Sequence, residues 1–340
     1  MRAQVFHGPG DLRFEEVPVP DLGPGEVLLR IEAALTCGTD VKTLGRGHPV
    51  MIPRVPTVFG HEFAGTVVET GPGVEAVRPG DRAVAANSAP CGACPFCRRG
   101  RPNLCDDLLF VNGAYGEYIC LPPRLVARNL VPLEDGVPAA RVAFAEPVAC
   151  CLHAIDLADV QAGDTVVVLG HGPVGLCLGL LAKTAGARVI LAGKAGPRLG
   201  WAAGLGFAAC VDVTSTPDPV RALRRAAGAP VRCAIDATGR PEAWEQAVAV
   251  TDKGGTIIFF GGCAPGTTVR LDTRRVHYEE LRLFGVFHHT PALVRRAVQL
   301  LASGGLDPSP LVTHQMGLEE VPEALALMSR GEALKVLITP

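Results

Sequence analysis

The sequence predicts an α/β fold in which a doubly wound parallel sheet is joined to a mostly β domain. Three observations predict it. The chain has 340 residues, more than twice the roughly 150 that one domain tends to occupy. Short strand-like runs between Gly/Pro turns give way, near Pro147, to alternating strand and helix patterns. A glycine-rich turn then stands where a β-branched run meets an apolar helical one.

Strands are expected in the first part at 27–31, 63–69, 82–86 and 116–120. Turns at Gly8-Pro9-Gly10, Leu22-Gly23-Pro24-Gly25 and Pro79-Gly80-Asp81 separate them. Beyond Pro147 the pattern predicts strands at 165–169, 188–192, 209–213, 231–236, 256–261 and 282–285, with helices at 174–184 and 198–205. Strands that alternate with helices in this way specify parallel pairing. Amphipathic helices near 293–302 and 321–329 and a strand at 335–339 close the chain, and no internal repeat is found.

Hydrophobic residues make up 48% of the chain and charged residues 19%, ample for two buried cores. A net charge of −2 supplies neither the polycation that nucleic acid requires nor a polybasic membrane patch. The start, Met1-Arg2-Ala3-Gln4-Val5-Phe6, lacks the apolar core of a secretory signal. The most apolar run, 166–182, is broken by glycines, a proline and a histidine, so no spanning helix is expected. These features lead to the expectation of a cytoplasmic protein acting on a small molecule.

Of the twelve cysteines, Cys91, Cys94, Cys97 and Cys105 fall within one short segment. With disulfides disfavoured, this spacing reads as four thiolates closing a tetrahedral structural zinc site, with Arg98, Arg99 and Arg101 offsetting its charge. The others, Cys37 apart, sit mostly in apolar runs and read as small core hydrophobes.

The glycine turn is Gly170-His171-Gly172-Pro173-Val174-Gly175. Preceded by a strand and opening a helix, a G-x-G-x-x-G turn lets backbone approach a pyrophosphate at a helix N-terminus. A dinucleotide site that prefers NAD places Asp or Glu at the end of the second strand, about 20 residues on. Gly193 stands there instead, followed by Lys194 and Arg198. A missing carboxylate, space at Gly193 and two cations favour NADP(H) over NAD(H).

A third constellation is dispersed over Cys37-Gly38-Thr39-Asp40, Gly60-His61-Glu62 and Ala145-Glu146-Pro147. A thiolate, an imidazole and a carboxylate suit a catalytic zinc with an open position, although spacing alone does not join them. Together the three constellations resemble the zinc-containing medium-chain dehydrogenases of the alcohol and sorbitol dehydrogenase type. The resemblance implies a GroES-like catalytic domain from residues 1–146 and 287–340, with a zinc lobe at about 88–108, and a Rossmann domain at 147–286. It implies two zinc ions per chain and a homodimer or homotetramer.

Carried over by motif, Cys37, His61, Glu62 and Glu146 resemble the catalytic-zinc ligands. Thr39 resembles the hydroxyl that takes the substrate's proton, and Lys42 stands where many relatives carry a histidine relay. Asp40 resembles an acceptor that orients His61, and Tyr115 a pocket-lining or packing residue. Thr238 and Gly261 resemble strand ends beside the nicotinamide. Glu146, the 37–43 segment and Arg46-Gly47-His48 are more like the polyol, sugar and cyclitol branch, which includes 2-deoxy-scyllo-inosamine dehydrogenases. Reductases of small aliphatic or aromatic carbonyls are the alternative.

Overall fold

Strand Val27–Leu35 is buried along most of its length, Arg30 being the exposed exception. Its burial follows from its partners: it pairs antiparallel with Glu62–Thr70, Tyr118–Leu121 and Lys335–Thr339. Arg82–Ala85 and Leu130–Pro132 extend this sheet beyond Glu62–Thr70, and Val312–Gly317 extends it beyond Lys335–Thr339. A hairpin of Arg2–Gly8 and Asp11–Glu16, joined at the Gly8-Pro9-Gly10 turn, packs Phe6 onto Phe59 with centroids 5.3 Å apart. Tyr115 meets Phe59 edge-on at 5.9 Å. These rings sit in one core with Phe63, Leu29 and Leu121.

The computed structural model describes all 340 residues. Two units divide the chain, Met1–Ala149 with His289–Pro340 and Cys150–His288. The first boundary falls inside helix Ala145–Ala158.

Six parallel strands form the sheet of the second unit. Their order is Ala209–Asp212, Arg188–Gly193, Thr165–Leu169, Val231–Asp236, Thr256–Phe259, Arg282–Gly285. In chain order this is 3-2-1-4-5-6, a doubly wound arrangement whose reversal lies between the first and fourth strands. Val166, Val167 and Val168 are fully buried, as a central parallel strand requires. Helices Pro173–Thr184, Pro197–Ala203, Pro219–Ala227 and Pro241–Val250 each open on a proline. Proline suits that position because its fixed φ is helical and the missing N–H would be unbonded anyway.

Several boundaries differ from the sequence reading. The expected strand 256–261 stops at Phe259, because the Gly261 N–H leaves the ladder to donate to the Asp236 carbonyl at 2.9 Å. The expected helix 198–205 runs over Pro197–Ala203. Cys151, Cys177 and Cys233 are buried, whereas Cys120, Cys150, Cys210 and Cys263 are only partly so. No helix is long and apolar enough to cross a membrane.

Candidate functional site

Register brings the first dispersed motifs together. Leu35 pairs with Glu62 at the end of the antiparallel ladder. Cys37 therefore emerges two residues past one strand, beside His61, which immediately precedes the other. Cys37 caps helix Gly38–Arg46: its Sγ accepts from the Thr39 N–H at 3.5 Å, while the Asp40 carboxylate accepts from the Cys37 N–H at 2.9 Å. The ligand atoms of Cys37, His61 and Glu62 all lie within 4.8 Å of one another.

Asp40 orients the imidazole. Its Oδ1 lies 2.8 Å from His61 Nδ1, an ion-pair approach with the ring N–H off the line of the oxygen. That leaves Nε2 as the nitrogen turned away from the carboxylate. Burial alone would lower the His61 pKa, but the charge of Asp40, and then Cys37, drive it well above the ordinary histidine value. The Tyr115 hydroxyl donates to Asp40 Oδ2 at 2.6 Å. Tyr115 is fully buried, so of the two roles open to it in the sequence it has the packing one. Gly60 makes room for it, since a Cβ there would fall 2.7 Å from the ring.

Glu62 is fully buried, and Lys335 Nζ donates to its Oε2 at 2.5 Å and to the Thr36 carbonyl at 2.9 Å. Burial raises the Glu62 carboxyl to about 7, against the opposing pull of Lys335 and His61. Burial would lower Lys335, but Glu62 and Cys37 hold its pKa above the usual lysine value. Glu62 Oε1 is buried with no hydrogen-bond partner. An orphaned carboxylate oxygen costs about 1–3 kcal/mol or more, and beside a thiol and an imidazole it fits a divalent cation. Lys335 was absent from the sequence reading. A lone lysine in the apolar run Leu334-Lys335-Val336-Leu337-Ile338 is the signal that could have found it.

Glu146 falls into a different group. In the first turn of its helix, its carboxylate lies within 4.8 Å of a His289 ring nitrogen, not in the cluster of Cys37, His61 and Glu62. It is close enough to help raise the Glu62 pKa. His289, also missed, is buried with Nε2 at 3.3 Å from the Ser88 hydroxyl. Thr39 is half-buried beside Cys37, and Lys42, three residues on, is exposed.

Cys91, Cys94, Cys97 and Cys105 also converge, with sulfurs within 4.8 Å of one another. The N–H groups of Ala93 and Cys94 donate to Cys91, that of Cys97 to Cys94 and that of Cys91 to Cys105. Backbone donors from Cys97 and Asp106 bring the Cys94 thiol down to about 6. Burial pushes Cys105 up to about 12. Four convergent sulfurs met by N–H donors suit a closed tetrahedral metal site.

In the second unit, Thr165–Leu169 runs into Gly170 and helix Pro173–Thr184, whose Gly172 cap carries no side-chain hydrogen bond. The helix start thus keeps donors for an anion. Gly175 permits the close approach of helix and loop: a Cβ there would lie 1.9 Å from the Gly170 carbonyl oxygen. A cavity of about 340 Å³ opens here, lined by Gly170, His171, Gly193, Lys194, Thr214 and Thr238 among others. Arg198 is half-buried nearby in sequence and does not line it. Pro173 and Val174 form the first helical turn. Thr238 donates through its hydroxyl to Asp236 Oδ1 at 2.7 Å, and Gly261 packs backbone to backbone against Gly239. The space expected over Gly193 is not open: the His171 imidazole lies over it.

Comparison with known proteins bears on both units. Residues 23–135 match the alcohol dehydrogenase GroES-like domain, and residues 173–303 match the zinc-binding dehydrogenase domain. The chain is 33% identical to a sorbitol dehydrogenase of Bombyx mori, covering 99% of this chain and 97% of the relative. It is 31% identical to an L-threonine 3-dehydrogenase of Rhizobium rhizogenes, over 96% and 94% of the two. A zinc-binding dehydrogenase of Sinorhizobium meliloti 1021, solved bound to NADP, superposes with a TM-score of 0.92 at 32% identity, over 100% and 99%. A 2R,3R-butanediol dehydrogenase of Bacillus subtilis gives 0.89 at 26% identity, over 100% and 99%.

Proposed function

Because the chain belongs to the zinc-containing medium-chain dehydrogenases of the alcohol and sorbitol dehydrogenase type, we propose that it moves a hydride between NADP(H) and a secondary alcohol or ketone of a polyol, sugar or (amino)cyclitol. The carrying observation is the buried cluster of Cys37, His61 and Glu62 with its orphaned carboxylate oxygen. Those three residues would hold the catalytic zinc, with Glu146 as a further carboxylate drawn on from beside His289. The four-cysteine lobe would hold a second, structural zinc.

When bound, zinc supplies Lewis-acid polarisation of the reacting oxygen, and the nicotinamide gives or takes the hydride. The chain's own groups do the rest. Asp40 fixes the His61 ring, and Tyr115 and the Cys37 N–H fix Asp40. In oxidation the alcohol loses its hydroxyl proton to the Thr39 hydroxyl, which passes it outward, with Lys42 at the solvent end of that path. A bound nicotinamide would take the carbon's hydrogen with its bonding pair, which balances as a ketone, a reduced cofactor and one proton. Glycine-loop N–H groups would hold its pyrophosphate. Lys194 supplies charge for a 2′-phosphate, in a cavity where Gly193 presents no carboxylate, and Arg198, outside the lining, adds to the positive field.

A polyhydroxylated substrate is supported by relatives named for sorbitol and butanediol. Turnover of cyclitols and sugar alcohols compared with simple ketones tests this, and a preference for simple ketones would overturn it. kcat/KM for NADP against NAD tests the cofactor. Cys37→Ser should retain the fold by circular dichroism while losing turnover and one zinc equivalent.

A further inference from the structure

His171 stands between the first two glycines of the loop, half-buried. Its Nε2 lies 3.0 Å from the Lys194 carbonyl oxygen, so with that nitrogen protonated the ring is tied to the turn after strand Arg188–Gly193. A Cβ added at Gly193 would fall 2.5 Å from Cδ2, 2.6 Å from Cγ and 3.1 Å from Cβ of His171. Non-bonded carbons rest about 3.5–4.0 Å apart. No side chain fits at 193 while the imidazole stays there.

The place where a carboxylate would meet a ribose 2′-hydroxyl is therefore filled from the loop side, not vacated. Asp212, the ladder partner of Gly193, turns one carboxylate oxygen to the neighbouring backbone and to Thr214. Its Oδ1 already accepts from the Ala195 N–H at 3.1 Å, the Thr214 N–H at 2.8 Å and the Thr214 hydroxyl at 2.5 Å. Burial, together with the charges of Arg198 and Lys194, holds the His171 pKa below the ordinary histidine value. The ring is then mostly neutral at pH 7 and adds no repulsion toward these cations.

We infer that His171 is a specificity-determining residue of the cofactor site: by occupying the volume over Gly193 it bars an acidic side chain from the end of that strand and so keeps this wall of the cavity free of the negative charge that would repel a 2′-phosphorylated dinucleotide. The direction of the preference rests on the NADP(H) reading above. The steric coupling of positions 171 and 193 does not.

The experiment has two arms. In the first, melting temperatures without cofactor are compared for wild type, Gly193→Ala, His171→Ala and the double variant. Gly193→Ala should melt well below wild type, and adding His171→Ala should recover most of the loss, since only the 3.1 Å contact remains. Additive effects would overturn the assignment. In the second arm, Gly193→Asp alone should weaken both cofactors without favouring NAD. His171→Ala/Gly193→Asp should shift the kcat/KM ratio toward NAD by about tenfold or more, the scale of one charge-assisted hydrogen bond gained. Gly193→Asp alone shifting the ratio as far as the double variant would also overturn it. A wild type that favours NAD, with the melting coupling intact, would overturn the cofactor reading and leave the steric assignment standing.

Discussion

Asp40 collects three groups at once: the His61 ring, the Tyr115 hydroxyl and the Cys37 N–H. A buried carboxylate with that many partners is held in place, so it can hold an imidazole in one orientation. Tyr115→Phe removes one donor and little volume. It should destabilise the protein by about 1.5–3 kcal/mol, the range for a hydrogen bond to a charged group, and weaken zinc retention in chelator competition. An unchanged melting temperature and unchanged zinc retention would show that Tyr115 only fills space. Lys335→Met should cost about 3–5 kcal/mol, because it removes the counterion of a fully buried carboxyl. Glu62→Gln/Lys335→Met should recover part of that loss in urea titrations. Failure to recover would mean that Lys335 acts chiefly through the Thr36 carbonyl and the Phe144 ring beneath it.

At the scale of elements, ion pairs tie the β ladder where side chains alone would not. Glu32 on strand Val27–Leu35 accepts from Thr66 on Glu62–Thr70 and from Arg82 Nη2 at 2.8 Å on Arg82–Ala85. Burial would raise the Glu32 pKa, but hydrogen bonds from Arg82 and Thr66 bring it below the ordinary value. A depressed carboxyl pKa stabilises the fold above its unfolded value, near 4.3, and that contribution disappears as pH falls through the folded value. Glu32→Gln should therefore lower stability at pH 7, by less than about 1 kcal/mol for a pair still in reach of solvent. Its deficit should shrink as pH falls below the unfolded value and vanish once pH lies below the folded one. A deficit that is constant with pH would point to packing instead. If the cysteine lobe takes up the proposed second zinc, removing that ion should lower the melting temperature before turnover changes. Simultaneous loss of both would show that the two metal sites are not independent.

Across the whole molecule, what could be read from the sequence divides by range. The Cys91–Cys105 lobe and the glycine loop are local, so spacing and flanking residues sufficed to find them. The helices at 219–227 and 241–250 were passed over, although Pro219 and Pro241 mark their starts. Joining Cys37 to His61 needs the register of Leu35 with Glu62, which only ladder pairing supplies. Glu146 read as part of the same ligand set, yet it groups with His289, because a helix start and a distant segment share its surroundings. Gly193 read as open space, because nothing in the order of residues says that His171 folds back over it.

Lys335 reaches Glu62 across 273 positions. A ribosome releases the second unit, Cys150–His288, as one uninterrupted stretch, but the first unit must wait for residues 335–339 before its innermost carboxylate meets a counterion. Synthesis order thus sets assembly order: the nucleotide-binding half is free to settle early, and the metal-binding half closes last. A released chain cut short before Lys335 should expose the 27–35 ladder to protease, whereas the 340-residue chain should not.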